Sequence, residues 1–143
     1  MDNMSNLVKN TEAEQSILGS ILLDSRKIEE IEILISEDMF YHQEHKHIFN
    51  SVKDIHKRDK PIDIITLTED LKKKGLIDYV GGISYLTKLS TIVPTIGNVS
   101  HYIDIVIEKY KNRNIIDKFN KFKLGEIDDN TLIYQLEKYI NEV

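Results

Sequence analysis

The feature that most constrains the fold of this chain is an uninterrupted helical pattern between Asn98 and Gly125. Asn98 is a favoured N-cap residue, and neither glycine nor proline occurs between the two positions. At a rise of about 1.5 Å per residue, these roughly 26 positions predict a rod of about 39 Å. A helix of this length is longer than a compact globule of the remaining segments requires. Its apolar positions are Val99, Tyr102, Ile103, Val106, Tyr110, Ile115, Ile116, Phe119 and Phe122.

Shorter amphipathic segments precede this long helix. Thr11 and Glu14 have capping-box spacing and predict a helix start, after which apolar residues recur every three or four positions. Asp24 or Ser25 can cap a second helix. Residues 36–38 begin a short turn that leads to a cluster of larger side chains.

The clearest amphipathic segment covers residues 43–58. Asp63 can cap the next helix, and we interpret the β-branched run around it as an extended entry, because a lone strand is not stable. A glycine pair at residues 81 and 82 precedes a further helix, which Pro94 ends. No partner strand is predicted, so these segments indicate an all-helical chain.

A last helix follows the acidic turn at residues 126–129 and forms a hairpin with the far half of the long helix. The predicted fold is therefore all-α: a compact globule of about six helices over residues 1–106, then a helical hairpin over 107–143. The hairpin carries more apolar side chains than two helices can hide from water by facing each other. We therefore expect it to pack on another copy of the chain and to form a dimer.

Length and composition exclude several classes of protein. The 143 residues correspond to about one domain, and the absence of cysteine removes disulfide frameworks and thiol catalysis. A formal net charge of −5 argues against a dedicated nucleic-acid binder, so we expect little direct DNA binding. Charged residues interrupt the first 20 positions, and no apolar run is long enough to span a membrane. We expect a soluble, cytoplasmic protein.

Motifs for catalysis are missing from the sequence. It contains no GxxxxGK[ST] loop, no GxGxxG and no HExxH, so we expect no enzyme activity from this chain. His42, His45 and His47 have ligand chemistry for a metal, but His45 and His47 lie about 200° apart on a helix. We interpret them as capping and core residues and predict no metal site. A small histidine–metal protein is the unfavoured alternative.

Basic residues concentrate on the far half of the long helix, and acidic residues on the last helix. We favour charge pairing within the hairpin or across subunits, with a DNA-facing stripe as the alternative. The basic residues are Lys109, Lys111, Arg113, Lys118, Lys121 and Lys123.

Taken in order, several segments of this chain resemble the N-terminal domain of replicative DNA helicases of the DnaB family, over roughly residues 7–143. Val8 departs from the pattern, since the family often has proline there. The matching segments are Glu12-Ala13-Glu14-Gln15 with Ile17 to Asp24, Phe40-Tyr41 with His45 and Ile48-Phe49, Pro61-Ile62-Asp63, Gly81 to Leu86, and Pro94 with Asn98, Tyr102 and Arg113.

The resemblance implies a non-catalytic domain in a hexameric helicase. In the family, hairpins pair subunits, six copies form a trimer-of-dimers collar, and the collar docks the helicase-binding domain of primase. A helicase loader is a further possible partner. ATP and magnesium act in a motor domain that is absent from this chain, so the full-length parent would be an ATP-dependent DNA helicase. The alternative is a stand-alone phage or plasmid relative that regulates helicase or primase by mimicry.

Two sets of site residues follow from the resemblance and the hairpin pattern. We expect the dimer interface to contain Ile115, Phe119, Leu132, Leu136 and Ile140. We expect the primase-binding surface to contain Tyr85, Ile116 and Phe122, while His45 packs in the core with one ring nitrogen hydrogen-bonded.

Overall fold

The computed structural model describes residues 3–92 and 98–141, and within these ranges the chain is helical without a strand. The all-α prediction is confirmed. Two short 3₁₀ turns, Ser25–Lys27 and Glu37–Met39, join the early helices. The predicted helix end at Pro94 lies outside the described residues. The helices are α1 (Asn3–Val8), α2 (Thr11–Leu23), α3 (Ile28–Leu34), α4 (Gln43–Lys57), α5 (Ile64–Lys73), α6 (Gly82–Ser90), α7 (Val99–Lys123) and α8 (Asp129–Asn141).

Helix α2 lies at the centre of the globule and packs against α4, α6 and α7. Ile17, Leu18 and Ile21 are almost completely buried, because this helix is apolar on more than one face. Gly19 permits the close approach of α6: a Cβ atom at this position would lie 2.7 Å from the carbonyl oxygen of Leu89. Helix α2 thus organises the core around which the other helices are arranged.

The start of α2 differs from the predicted capping box. Asn10, not Thr11, is the N-cap, and its Oδ1 atom accepts a hydrogen bond of 3.0 Å from the amide of Ala13. Thr11 is the first helical residue. Glu14 turns inward and is buried, so its carboxylate does not cap the helix. Asparagine at position 10 is at least as good an N-cap as threonine at position 11. The local sequence therefore does not decide which of the two residues caps the helix.

Other caps agree with the sequence pattern. Asp63 caps α5, and its Oδ1 atom accepts a hydrogen bond of 2.8 Å from the amide of Thr66, which completes a capping box. The extended entry is shorter than the β-branched run suggested: it ends at Asp63, and Ile64 already belongs to the helix. Asn98 caps α7 through a hydrogen bond of 3.0 Å from the amide of Ser100.

Helix α7 has 25 residues and connects the globule to the hairpin. Its first part is buried in the core as far as Val106, and beyond that point its main neighbours are α1 and α8. Helix α1 was not predicted from the sequence, and it packs along α7. In the part of the chain that the structure describes, no helix is both long and apolar enough to cross a bilayer.

Candidate protein-interaction surfaces

The five residues predicted for the dimer interface all lie in the hairpin, with very different exposure. Leu132 is buried between the two helices, and Ile115 and Leu136 are half-buried. Phe119 is 47% exposed and Ile140 is 74% exposed, so the two helices alone do not cover them. Phe119 and Ile140 are therefore available to a partner, whereas Leu132 belongs mainly to the packing within the hairpin.

Further apolar side chains remain uncovered on the hairpin. Phe122, which was predicted for the primase surface, is 40% exposed, while Ile116 is half-buried. Several exposed apolar side chains on one helix pair are typical of a protein–protein interface. The other exposed members are Leu124, Ile133 and Tyr134.

Three of the basic residues of α7 lie close to carboxylates on their own helix. Lys118 and Lys121 lie 3.4 and 3.3 Å from the same oxygen of Asp117. Lys109 lies 3.9 Å from Glu108. These pairs join neighbours on α7, so they do not provide the pairing between the two hairpin helices that the charge pattern suggested.

Arg113 attaches the hairpin to the globule. Its Nη1 atom donates a hydrogen bond of 2.7 Å to the carbonyl oxygen of Val8, and Nη2 donates one of 2.8 Å to that of Met39. The guanidinium also lies over the rings of Tyr41 and Tyr110 at 5.6 and 5.7 Å. Partial burial lowers the pKa of Arg113 below its ordinary value, and the side chain stays protonated at neutral pH. The charge pattern had counted Arg113 among the basic residues expected to form charge pairs in the hairpin or across subunits, and its anchoring role was missed.

A buried polar network connects α2, α4 and α6 beneath the surface. Glu14 and His45 are 2% and 1% exposed, and His45 Nδ1 lies 2.7 Å from Glu14 Oε1. Glu14 also accepts a hydrogen bond of 2.7 Å from the amide of Tyr41. On the other side of the imidazole, His45 Nε2 lies 2.6 Å from the hydroxyl of Tyr85. The prediction that His45 packs in the core is correct, but both of its ring nitrogens have partners.

The proton positions in this network follow from donor and acceptor chemistry. A carboxylate accepts only, so His45 Nδ1 carries the proton that bonds to Glu14. When the imidazole is neutral, Nε2 is its acceptor nitrogen and the Tyr85 hydroxyl donates to it, while that hydroxyl accepts a hydrogen bond of 3.1 Å from Gln15 Nε2. Every member has a partner, and such closed networks fix a single arrangement of the core.

Tyr85 thus differs from a freely exposed anchor. Its hydroxyl belongs to the network, and its ring lies nearly parallel to the imidazole of His45, with 9° between the planes and the centroids 5.9 Å apart. Burial raises the pKa of Tyr85 above its ordinary value. The side chain remains partly accessible, so its predicted part in the primase surface stays a prediction.

The rings of His42 and His45 meet edge-on at 5.1 Å, and the clustered histidines have further partners. His42 Nε2 lies 2.7 Å from Thr11 Oγ1, and the ring of His47 meets that of Tyr79 edge-on at 5.4 Å. Across residues 3–92 and 98–141, no group of three histidine or carboxylate side chains could hold a metal ion. The cluster therefore serves packing and hydrogen bonding in this structure.

Comparison with known proteins decides the family. The family model of the DnaB-like helicase N terminal domain matches residues 6–108, which is more than half of the chain. The chain belongs to the DnaB family. The matched region is the N-terminal part of these helicases and lacks their ATPase motor.

Curated relatives of this DnaB N-terminal domain are replicative helicases. DnaB of Buchnera aphidicola is 40% identical over 121 residues, which cover 85% of this chain and 26% of that protein. DnaC, the replicative helicase of Bacillus subtilis, is 37% identical over 142 residues, which cover 94% of this chain and 31% of that protein. The chain therefore spans about a quarter to a third of the length of these relatives.

Solved structures share the fold. The N-terminal domain of DnaB from Mycobacterium tuberculosis superposes with a TM-score of 0.81 at 27% identity, covering 96% of this chain and 99% of that one. The N-terminal domain from Helicobacter pylori, described together with its interactions with primase, gives a TM-score of 0.72 at 22% identity. That match covers 88% of this chain and 98% of the other, and it shows the common fold alone.

Proposed function

We propose that this DnaB N-terminal domain pairs helicase subunits through its hairpin and docks primase during DNA replication in the cytoplasm. In the assembled helicase, six copies form a collar that is a trimer of dimers. ATP and magnesium act in the motor domain of the full-length protein, and a helicase loader is a second partner of the collar.

The observation that carries this proposal is the apolar surface left exposed on α7 and α8. Phe119, Ile140 and Ile133 are 47%, 74% and 55% exposed on the two hairpin helices. Covering a large apolar side chain is worth about 1.5–3 kcal/mol. A second hairpin in an isologous dimer would cover the same residues on both copies.

Primase docking is supported by similarity and by partly exposed aromatic side chains. Two solved relatives with this fold are described with their interactions with primase. In this chain Tyr85 and Phe122 are partly exposed aromatic side chains on different helices, and aromatic anchors often dominate the energy of an interface.

Light scattering of the purified chain over a concentration series tests the pairing. Ile140→Ser should shift the monomer–dimer equilibrium toward monomer, because Ile140 is on the hairpin. Ile65→Ser is the matched control, since Ile65 is 70% exposed and Ile140 is 74% exposed, but Ile65 lies on α5. A wild-type chain that stays monomeric at every concentration would contradict the pairing. Calorimetric titration with the helicase-binding domain of the primase from the same genome tests docking, and the absence of heat and of any change in mass would contradict it.

A further inference from the structure

A small surface notch opens beside Tyr85, at the end of the buried Glu14–His45–Tyr85 network. It has a volume of about 270 Å³ and lies where the first turn of α4 meets the segment that leads into α6. One carboxylate and two phenol rings line it, together with backbone of the glycine turn. The lining residues are Glu44, Tyr79, Val80, Gly81 and Tyr85.

The ring of Tyr85 is held in place from below and from the side. Its hydroxyl lies 2.6 Å from His45 Nε2, which fixes the far end of the ring. Gly81 has a φ of +110°, and a Cβ atom there would lie 2.8 Å from the Cβ of Tyr85. Only glycine combines this backbone conformation with such close contact. The Tyr85 ring is therefore a rigid wall of the notch before any partner arrives.

Tyr79 and Glu44 form the more exposed sides. Tyr79 is 56% exposed, and the edge-on contact with His47 orients its ring. Glu44 Oε1 lies 3.4 Å from His42 Nδ1, which is longer than the roughly 2.7–2.9 Å of a charged N–H···O hydrogen bond. The carboxylate thus remains able to accept stronger hydrogen bonds from a cationic group.

We propose that this notch binds an arginine side chain presented by the partner protein, which under the proposed function is primase. The negative faces of two tyrosine rings attract a cation, and the adjacent carboxylate supplies a full opposite charge. Arginine fits this combination better than lysine, because its planar guanidinium stacks on rings and donates two parallel hydrogen bonds to a carboxylate. The exposed carboxylate of Asp78, next to Tyr79, adds to the negative potential.

A probe experiment tests the notch independently of primase. The tyrosine ring resonances of the full chain are followed by NMR while N-acetyl-L-arginine amide is added, with the neutral N-acetyl-norleucine amide as the matched ligand. We expect the arginine compound to shift the resonances of Tyr79 and Tyr85 selectively. The shifts should be lost in Glu44→Gln and kept in Glu30→Gln, an exposed glutamate on α3 that does not line the notch. Equal shifts with both compounds, or none with arginine, would overturn the proposal.

Titration with the primase domain then tests the identity of the partner. We expect Glu44→Gln to weaken binding about tenfold, as for the loss of one charge-assisted hydrogen-bonded pair, and Glu30→Gln to leave it unchanged. Equal affinity of wild type and Glu44→Gln for primase would remove primase as the source of the arginine. If the wild-type chain does not bind primase at all, the docking function fails, and the NMR result alone decides whether the notch accepts a guanidinium.

Discussion

The Nη2 atom of Arg113 donates a hydrogen bond of 2.8 Å to the carbonyl oxygen of Met39. This contact joins residues 74 positions apart, one on the hairpin helix and one in a 3₁₀ turn of the globule. With the second bond to Val8, it fixes the direction in which α7 leaves the core. The long helix is therefore braced at its midpoint and does not project as a free rod.

Removal of this brace should destabilise the domain. We expect Arg113→Ala to lower the free energy of unfolding by about 2–3 kcal/mol, because two carbonyl oxygens lose charged donors in a partly buried site. Urea denaturation followed by circular dichroism measures the change. Arg26→Ala is the control, since the Arg26 side chain is 88% exposed, and it should leave the midpoint unchanged. Equal midpoints for wild type and Arg113→Ala would refute the bracing role.

The buried carboxylate of Glu14 should be equally sensitive to substitution. Donors from Tyr41, His42 and His45 converge on its two oxygens. In Glu14→Gln one oxygen becomes an amide donor facing other donors, so we expect a loss of about 2–3 kcal/mol in the free energy of unfolding. Glu12→Gln, two positions earlier and exposed, should unfold like wild type in the same urea titration. A Glu14→Gln protein as stable as Glu12→Gln would show that the network contributes little.

How much of this structure can be predicted from the sequence depends on how far apart along the chain the interacting residues lie. The caps at Asp63 and Asn98 follow from residues within one helical turn. The length of α7 follows from the absence of glycine and proline between Asn98 and Gly125. These predictions are confirmed. Glu14 looked like a local capping residue, but its partners Tyr41 and His45 lie 27 and 31 positions away. A side chain that satisfies distant backbone amides has no local signature, so periodicity alone could not identify the network.

The same limit applies to the candidate surfaces. Periodicity placed Phe119 and Leu132 on the hairpin equally, but their exposures of 47% and 8% depend on how α8 lies against α7. The notch beside Tyr85 depends on Gly81, whose positive φ lets the turn before α6 lie close to Tyr85, four residues later. The glycine pair was interpreted only as a flexible turn. The residue pattern does not show which backbone conformation a glycine adopts, so this packing role was missed.

Two substitutions of Tyr85 should separate the contribution of its hydroxyl to stability from the contribution of its ring to primase binding. Tyr85→Phe removes the hydroxyl that pairs with His45 Nε2, so we expect the free energy of unfolding to fall by about 1–2 kcal/mol while primase affinity is kept. Tyr85→Ala also removes the ring and should weaken primase binding by about 2 kcal/mol or more, as should Phe122→Ala. Titration calorimetry with the primase domain measures the binding. Unaltered curves for Tyr85→Ala and Phe122→Ala would remove both residues from the docking surface.

Substitution of apolar hairpin residues by glutamate should dissociate the dimer. We expect Phe119→Glu and Leu136→Glu to raise the dimer dissociation constant at least about tenfold, because each would place a charge in the buried seam. Light scattering measures the mass, and circular dichroism checks that helicity is kept. Lys123→Glu, an exposed position on the same helix, controls for the added negative charge. Wild-type mass for both test variants would exclude the proposed seam.

A cluster of charges joins α4 to α5 around Asp70. Its carboxylate is 4% exposed, Arg58 Nη2 donates to Oδ1 at 2.9 Å, and Lys74 Nζ lies 2.9 Å from Oδ2. Burial would raise the pKa of Asp70, but hydrogen bonds from Lys74, Ser51 and Arg58 outweigh it, so the pKa lies below its ordinary value. The pKa of Lys74 is shifted upward, because its bonds to Asp54 and Asp70 outweigh the effect of burial.

This arrangement makes stability depend on acidic pH in a defined direction. A carboxyl group whose pKa is lower in the folded state stabilises the fold above its unfolded pKa of about 3.9, and that stabilisation is lost as pH falls through the folded value. Asp70→Asn should therefore be less stable than wild type at pH 7, and the difference in free energy of unfolding should shrink once the pH falls below about 4. Urea titrations at a series of pH values measure the difference. Asp59→Asn, an exposed aspartate in the turn after α4, provides the control. A difference between wild type and Asp70→Asn that stays constant from pH 7 into this acidic range would show that the ionised carboxylate does not stabilise the cluster.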